Sequence, residues 1–258
     1  MATDIAFAIG ILSLLGNRVP VSLKVFLTAL AVIDDLGAII VIAIFYTKDI
    51  SFLNLGIAMG IWLILIVLSK FKVKNLIPYL VGGAIMWYFM LHSGIHATIT
   101  GVLVAIAIPF GDGTKRSSSY ALQHFLHKPV AFMILPLFAL ANTCIPLGDH
   151  LVDSLLHPNS LGILIGLVIG KPLGIVLFSY FGTILGLCAI PYNLTWKNII
   201  GVGFLGGIGF TMSIFITLLA FNDIEVIDHS KIAILLASVI AGSVGFIILK
   251  FTLKVTTK

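Results

Sequence analysis

Residues 25–46, VFLTALAVIDDLGAIIVIAIFY, form an apolar run whose only charges are the adjacent acids Asp34 and Asp35. A helix of this length reaches about 33 Å, which is enough to cross a bilayer. An ionised carboxylate at that depth costs at least about 2.5 kcal/mol, and two adjacent carboxylates also repel each other. Binding a cation that neutralises them is the least costly use of such a pair, so the segment predicts a cation site. The alternative is that one acid binds substrate while the other pairs with a basic side chain.

The composition of the whole chain is that of a membrane protein. The mean hydropathy is +1.19, 60% of the 258 residues are hydrophobic and only 10% are charged, whereas a soluble domain has about 25% charged residues. These values predict an all-α polytopic membrane protein. Cys144 and Cys188 lie near apolar segments and indicate neither a disulfide framework nor a metal site. The sequence has no phosphate-binding loop or nucleophile–base arrangement typical of an enzyme, and it predicts neither a cofactor nor a nucleic-acid partner.

Nine apolar segments are predicted within a single transmembrane domain, residues 1–258. The first, residues 2–15, is too short to cross a bilayer and counts as a partial segment. The eight predicted spans are 25–46, 52–69, 78–93, 94–110, 129–146, 160–186, 198–221 and 231–251.

The basic residues predict the orientation of these spans. One alternate set of loops holds only Lys48 and Lys231, and Lys171 lies inside a segment. The other set holds Arg18, Lys24, Lys70, Lys72, Lys74, Lys115, Arg116, Lys128, Lys197, Lys250, Lys254 and Lys258. Because cytoplasmic loops carry the excess of Lys and Arg, this second set and the C-terminus are predicted to be cytoplasmic.

Lys171 and a glycine-rich run are the other unusual features of the apolar segments. Lys171 is followed by Pro172, which disturbs helical hydrogen bonding. It is interpreted either as a structural ion-pair partner of an aspartate or as a proton-carrying amine, and the two roles are compatible. Five of the nine residues in 201–209 are glycine. This run predicts either close helix packing or a discontinuous helix whose backbone lines an ion path.

Three histidines are candidates for a pH response, because histidine titrates near neutral pH. They are His96, His124 and His127, and the last two are spaced to share one helix face. That spacing also suits a metal ion, but no carboxylate or cysteine stands beside them to complete a ligand set.

Six motifs in order along the chain resemble the NhaA-type bacterial sodium/proton antiporters. They are ATDIAFAIG (2–10), LAVIDDLGAII (30–40), LHSGIHATITGV (91–102), LPLFALAN (135–142), IGKPLGI (169–175) and GIGFTMSIFI (207–216). The resemblance implies an inverted-repeat fold with discontinuous helices. It also implies exchange of sodium or lithium for protons across the inner membrane, by a multi-pass protein that is a homodimer at full length.

The resemblance assigns roles to individual residues. Asp34 and Asp35 match the paired aspartates that bind the transported sodium or lithium and the protons, and Lys171 matches the lysine that pairs with Asp34. Thr3 and Asp4 match the unwound part of one broken helix. The crossover of the other broken helix corresponds to Gly206, Gly207, Gly209 and Thr211. His96, His124 and His127 fall in regions that the family associates with pH response.

Family members carry further helices ahead of the ATDIAFAIG motif. The chain is therefore expected to correspond to the C-terminal two-thirds of such a protein, with an incomplete first repeat, and not to carry out coupled exchange by itself. The alternatives to a sodium/proton antiporter are a non-transporting fragment that needs a separate N-terminal piece, and a passive cation channel lined by the same carboxylates.

Overall fold

A computed structural model describes residues 2–45, 50–110, 117–143 and 155–253. Within these ranges the chain is α-helical and contains no strand. The helices, named α1 to α12 in chain order, are Ile5–Ser13, Val21–Phe45, Phe52–Lys70, Ile77–Leu91, Thr98–Ala107, Ser118–Pro129, Leu135–Asn142, Pro158–Ile165, Lys171–Ile184, Trp196–Gly206, Phe210–Ala220 and Ile224–Thr252.

Several of these helices are long and apolar enough to cross a membrane. In the described part of the chain, five such spans are Val21–Ile42, Phe52–Lys70, Ser118–Asn142, Pro158–Ile184 and Ile224–Thr252, and the bent pair α10–α11 supplies a sixth. Helices α4 and α5 are apolar but shorter. The fold is therefore that of an all-α polytopic membrane protein, and the count of eight crossings stays a prediction.

The chain divides into two compact units. One consists of residues 1–38 and 138–258, and the other of residues 39–137. The core of the first unit contains two clusters, of which the larger joins α1, α2, α10 and α12 through Leu12, Leu27, Leu205 and Leu249. The second unit has its own core, in which Met86 of α4 packs against Ala58 of α3.

Prolines inside two spans are accommodated by wide π-helical turns. The turn Val130–Ile134 precedes Pro136, and the turn Gly166–Gly170 precedes Pro172. Proline lacks an N–H group, and its ring clashes with the carbonyl group four residues earlier, which in both cases lies inside the π turn. The wider turn changes the hydrogen-bonding register there, so each helix continues past its proline and Lys171 begins α9.

The glycine-rich run contains both structural features predicted for it, a close helix contact and a break in the helix, while its role in lining an ion path stays a prediction. A side chain at Gly201 would come within 2.7 Å of Leu249 Cδ2, so this glycine allows α10 and α12 to pack closely. The helix then breaks after Gly206 and restarts at Phe210 with a bend of 47°. The run therefore contains a close helix contact followed by a backbone crossover.

Helix α12 begins earlier than its apolar run. Asp223 caps it, because its carboxylate accepts the N–H of Glu225 at 3.0 Å. Lys231, which the sequence placed in an outer loop, lies inside this helix, is buried and has its Nζ 3.6 Å from Asp228 Oδ1. A paired lysine fits inside the helix where an isolated charge would not.

Candidate functional site

An ion pair joins α2 to the start of α9. Lys171 Nζ lies 2.6 Å from Asp34 Oδ2, and the side chains of the two residues are 15% and 27% exposed. The π turn and Pro172 determine where α9 begins and thereby place Lys171 opposite the middle of α2. A charged hydrogen bond of this length within apolar helices binds the two segments strongly.

Thr3 completes this contact from the segment that precedes α1. Its N–H and its Oγ1 lie 2.7 and 2.8 Å from Asp34 Oδ2. Its Oγ1 also lies 2.6 Å from Lys171 Nζ and 2.7 Å from the carbonyl oxygen of Gly206. The hydroxyl carries one hydrogen, so it accepts from Lys171 and donates either to Asp34 or to Gly206. Thr3 therefore links the ion pair to the last residue of α10.

Asp4 lies at the N-terminal ends of two helices. Its Oδ1 accepts the N–H of Phe7 at 3.1 Å and so caps α1, while its Oδ2 accepts the N–H of Thr211 at 3.2 Å and the hydroxyl of Thr211. Its own N–H donates to the carbonyl of Ile208 at 2.7 Å. A carboxylate is favourable at a helix N-terminus, because the unpaired N–H groups there carry partial positive charge. Asp4 thus ties the start of α1 to the crossover between α10 and α11.

The crossover glycines have no room for side chains. A Cβ at Gly207 would lie 2.4 Å from the carbonyl oxygen of Leu167, which belongs to the π turn before Lys171. A Cβ at Gly209 would lie 2.2 Å from Ser213 Oγ and 2.8 Å from Ser213 Cβ. Gly207 is therefore required by a close approach to the backbone of Leu167, and Gly209 by the position of the Ser213 side chain.

Asp35 differs from Asp34 in its hydrogen bonding. Its Oδ1 is buried and has no hydrogen-bond partner among the described residues. A buried carboxylate oxygen without a donor is costly, and a cation or a proton removes that cost. Three carboxylates, those of Asp4, Asp34 and Asp35, therefore lie in the same region as one ammonium group, that of Lys171. Negative charge is in excess among these four residues.

The described residues contain no group of three or more His, Cys, Asp or Glu side chains arranged to hold a metal ion.

The predicted pH-responsive histidines belong to the other compact unit. His96 is half-buried, whereas His124 and His127 are exposed on α6. The ring of His124 stacks on Tyr120 one helical turn earlier, with centroids 6.2 Å apart.

Sequence reasoning missed Ser238, whose hydroxyl contacts the crossover from α12. A serine inside an apolar helix is common and carries no signal of such a contact.

Comparison with known proteins assigns this membrane protein to a family. A family model described as "Na+/H+ antiporter 1" matches residues 1–249. The chain is 70% identical to "Na(+)/H(+) antiporter NhaA 1" of Flavobacterium johnsoniae and 65% identical to "Na(+)/H(+) antiporter NhaA" of Flavobacterium psychrophilum. The alignments cover 98% and 99% of the chain and 66% and 67% of these relatives, so the chain spans about two thirds of their length. The chain belongs to the Na+/H+ antiporter 1 family.

Replacing Lys171 is expected to destabilise the fold. Removing one partner of a buried ion pair costs about 3–5 kcal/mol, because the other charge is left unpaired. Since both side chains are partly exposed, we expect the Lys171→Ala variant to lose about 3 kcal/mol, with a clearly lower thermal-unfolding midpoint in detergent by circular dichroism. The double variant Lys171→Ala/Asp34→Asn should lose less than the sum of the single changes.

Lys197→Ala is the matched control, because Lys197 is exposed and a surface change is expected to alter stability by no more than about 0.5 kcal/mol. A Lys171→Ala variant as stable as Lys197→Ala would contradict a stabilising ion pair.

Proposed function

We propose that the protein carrying this chain exchanges sodium for protons across the bacterial inner membrane, as a secondary transporter and not as an enzyme. Membership of the Na+/H+ antiporter 1 family supports this, as do the names of its relatives. The observation that carries the proposal is the adjacent acid pair, in which Asp34 is bound to Lys171 and Asp35 has a buried oxygen without a donor.

The acid pair is proposed as the shared site for cation and protons. Asp35 Oδ1 has no described donor and is therefore available to a cation without breaking a hydrogen bond. Asp34 Oδ2 is already bound to Lys171 and Thr3. A cation that also uses this oxygen must compete with the ammonium group. Sodium entry is thus proposed to loosen the Asp34–Lys171 contact.

Exchange follows from competition for the same oxygens. A carboxylate that holds a proton is a poor ligand for sodium, and one that holds sodium does not keep its proton. Each ion therefore drives the other off, and protons enter at the acid pair when sodium leaves. Lys171 either carries a proton itself or only balances the charge of Asp34, and both roles are compatible with this cycle.

The irregular backbone beside the acid pair suits alternating access. Transporters of this type place ions at broken helices and move one bundle against another around the site. The crossover between α10 and α11, with Gly206, Gly207, Gly209 and Thr211, lies against Thr3 and Asp4. We propose that Asp4 keeps the helix ends at this crossover neutralised while the cation exchanges.

Three further properties are proposed from the resemblance to the NhaA-type antiporters. Lithium is a second substrate, because it is a small monovalent cation that the same carboxylate oxygens accept. His96, His124 and His127 respond to pH, and the full-length protein is a homodimer within the lipid bilayer.

Neutralising either acid is expected to abolish exchange. In the full-length gene product carrying these residues, Asp34→Asn and Asp35→Asn each remove one carboxylate, so the site no longer holds both a dehydrated cation and the exchanged protons. Sodium-induced proton movement in everted membrane vesicles, followed with a pH-sensitive dye, should fall to the level of vesicles without the protein. Expression should be retained.

Glu225→Gln is the matched control, because it also turns a carboxylate into an amide, at an exposed residue in the first turn of α12. It should leave exchange in place. Full exchange in either Asp34→Asn or Asp35→Asn at saturating sodium would remove that carboxylate from the site. Sodium flux without proton movement in the unmodified protein would instead favour a channel.

The orientation is also proposed, with the C-terminus in the cytoplasm. The excess of Lys and Arg in alternate loops supports it. A cysteine introduced at Ser117, the N-cap of α6, should react with a membrane-impermeant maleimide in inside-out vesicles and not in intact cells. Labelling of intact cells at this position would reverse the assignment.

A further inference from the structure

The start of α11 is capped by a side chain from another helix. A helix N-terminus leaves its first N–H groups without partners inside the helix, and a Ser, Thr, Asp or Asn at the preceding position usually satisfies one of them. Here that position is Gly209, which has no side chain. A side chain there would collide with Ser213, whose Oγ and Cβ lie 2.2 and 2.8 Å from the Cβ position. The cap therefore has to come from elsewhere in the fold.

Ser238 of α12 supplies that cap. Its hydroxyl oxygen accepts the N–H of Gly209 at 3.2 Å and the N–H of Phe210 at 3.1 Å. Its hydrogen is donated to the carbonyl of Ile234, one turn earlier in α12, at 2.7 Å. A hydroxyl has two acceptor sites and one donor, so all of its hydrogen-bonding capacity is used. The side chain is buried, and water does not readily replace it.

Hydrogen bonds, joined by links between adjacent residues of the backbone, connect Ser238 to the acid pair. The residue before Gly209 is Ile208, whose carbonyl accepts the N–H of Asp4. The residue after Phe210 is Thr211, which donates to the Asp4 carboxylate. Thr3, the neighbour of Asp4, contacts both Asp34 and Lys171. The position of the crossover backbone therefore determines where Thr3 meets Asp34.

We propose that Ser238 is a positioning residue for the cation site. By holding the N–H groups of Gly209 and Phe210, it keeps the crossover in the place that lets Asp4 and Thr3 orient Asp34. It does not itself touch the ion. This inference rests on the proposed function, because it takes the Asp34–Asp35 pair as the place where sodium binds.

The test is sodium binding to the purified full-length gene product, measured with radioactive sodium in detergent well below the unfolding temperature. We expect Ser238→Ala to weaken binding by about tenfold or more, as loss of a group that orients a metal ligand commonly does. Ser238→Thr, which retains the hydroxyl, should bind nearly as the unmodified protein does. In Ser238→Cys the new side chain is close to serine in size, but its thiol is a weak hydrogen-bond acceptor. This variant should therefore bind sodium as weakly as the alanine variant. If the alanine variant does not fold, the cysteine variant tests the positioning role in its place.

Ser230→Ala is the matched control on the same helix. Ser230 is buried, and its hydroxyl donates to the carbonyl of Val226 and accepts from Asn159, with no contact to the crossover. It should leave the sodium affinity unchanged. The proposal is overturned if Ser238→Ala and Ser238→Cys bind sodium normally, whatever their thermal stability. It is also overturned if Ser230→Ala weakens binding as much as Ser238→Ala, because any loosening of α12 would then suffice.

An Asp34→Asn arm separates this inference from the proposed function. If Asp34→Asn loses sodium binding while Ser238→Ala keeps it, only the positioning role fails. If Asp34→Asn binds sodium normally, the acid pair is not the site, and both the proposed function and the inference based on it fail.

Discussion

The ion pair between Lys171 and Asp34 determines how the surrounding helices are arranged. Each charge is costly within an apolar span, and the pair lowers that cost only while the two groups stay in contact. Contact at 2.6 Å requires α9 to begin opposite the middle of α2. It also requires Thr3 to reach both side chains from the segment before α1. Irregular backbone is therefore concentrated around this pair, in the π turn before Lys171 and in the crossover after Gly206.

The same arrangement leaves part of the acid pair available for an ion to bind and leave. Asp4 and Ser238 accept the N–H groups of Gly209, Phe210 and Thr211 at the start of α11, so these groups do not draw on the acid pair for hydrogen bonds. Asp35 keeps one buried oxygen without a described donor. A strongly bound aspartate next to a weakly bound one is suited to a site that must both hold and release an ion. This contrast is the physical basis of the proposed exchange.

The sequence revealed the charged parts of this site more readily than the neutral ones. Asp34, Asp35 and Lys171 stand out because charges are rare in apolar segments, and the glycine content of 201–209 pointed to the break in the helix. The sequence did not indicate Ser238, because its contact joins residues that are far apart along the chain and a neutral serine is common in a helix. Lys231 was placed in a loop because it is charged and lies at the edge of the apolar run. The helix α12 in fact begins before that run, and within it Lys231 pairs with Asp228.

Proton release on sodium binding tests the central claim most directly. Sodium chloride would be added to the detergent-purified full-length gene product in weakly buffered solution, with choline chloride as the control salt and Asp35→Asn as the control protein. If sodium and protons compete for the acid pair, sodium should acidify the solution in a saturable manner, and its apparent affinity should weaken as the starting pH is lowered. Saturable sodium binding with no proton release, and with an affinity independent of pH, would contradict a shared site.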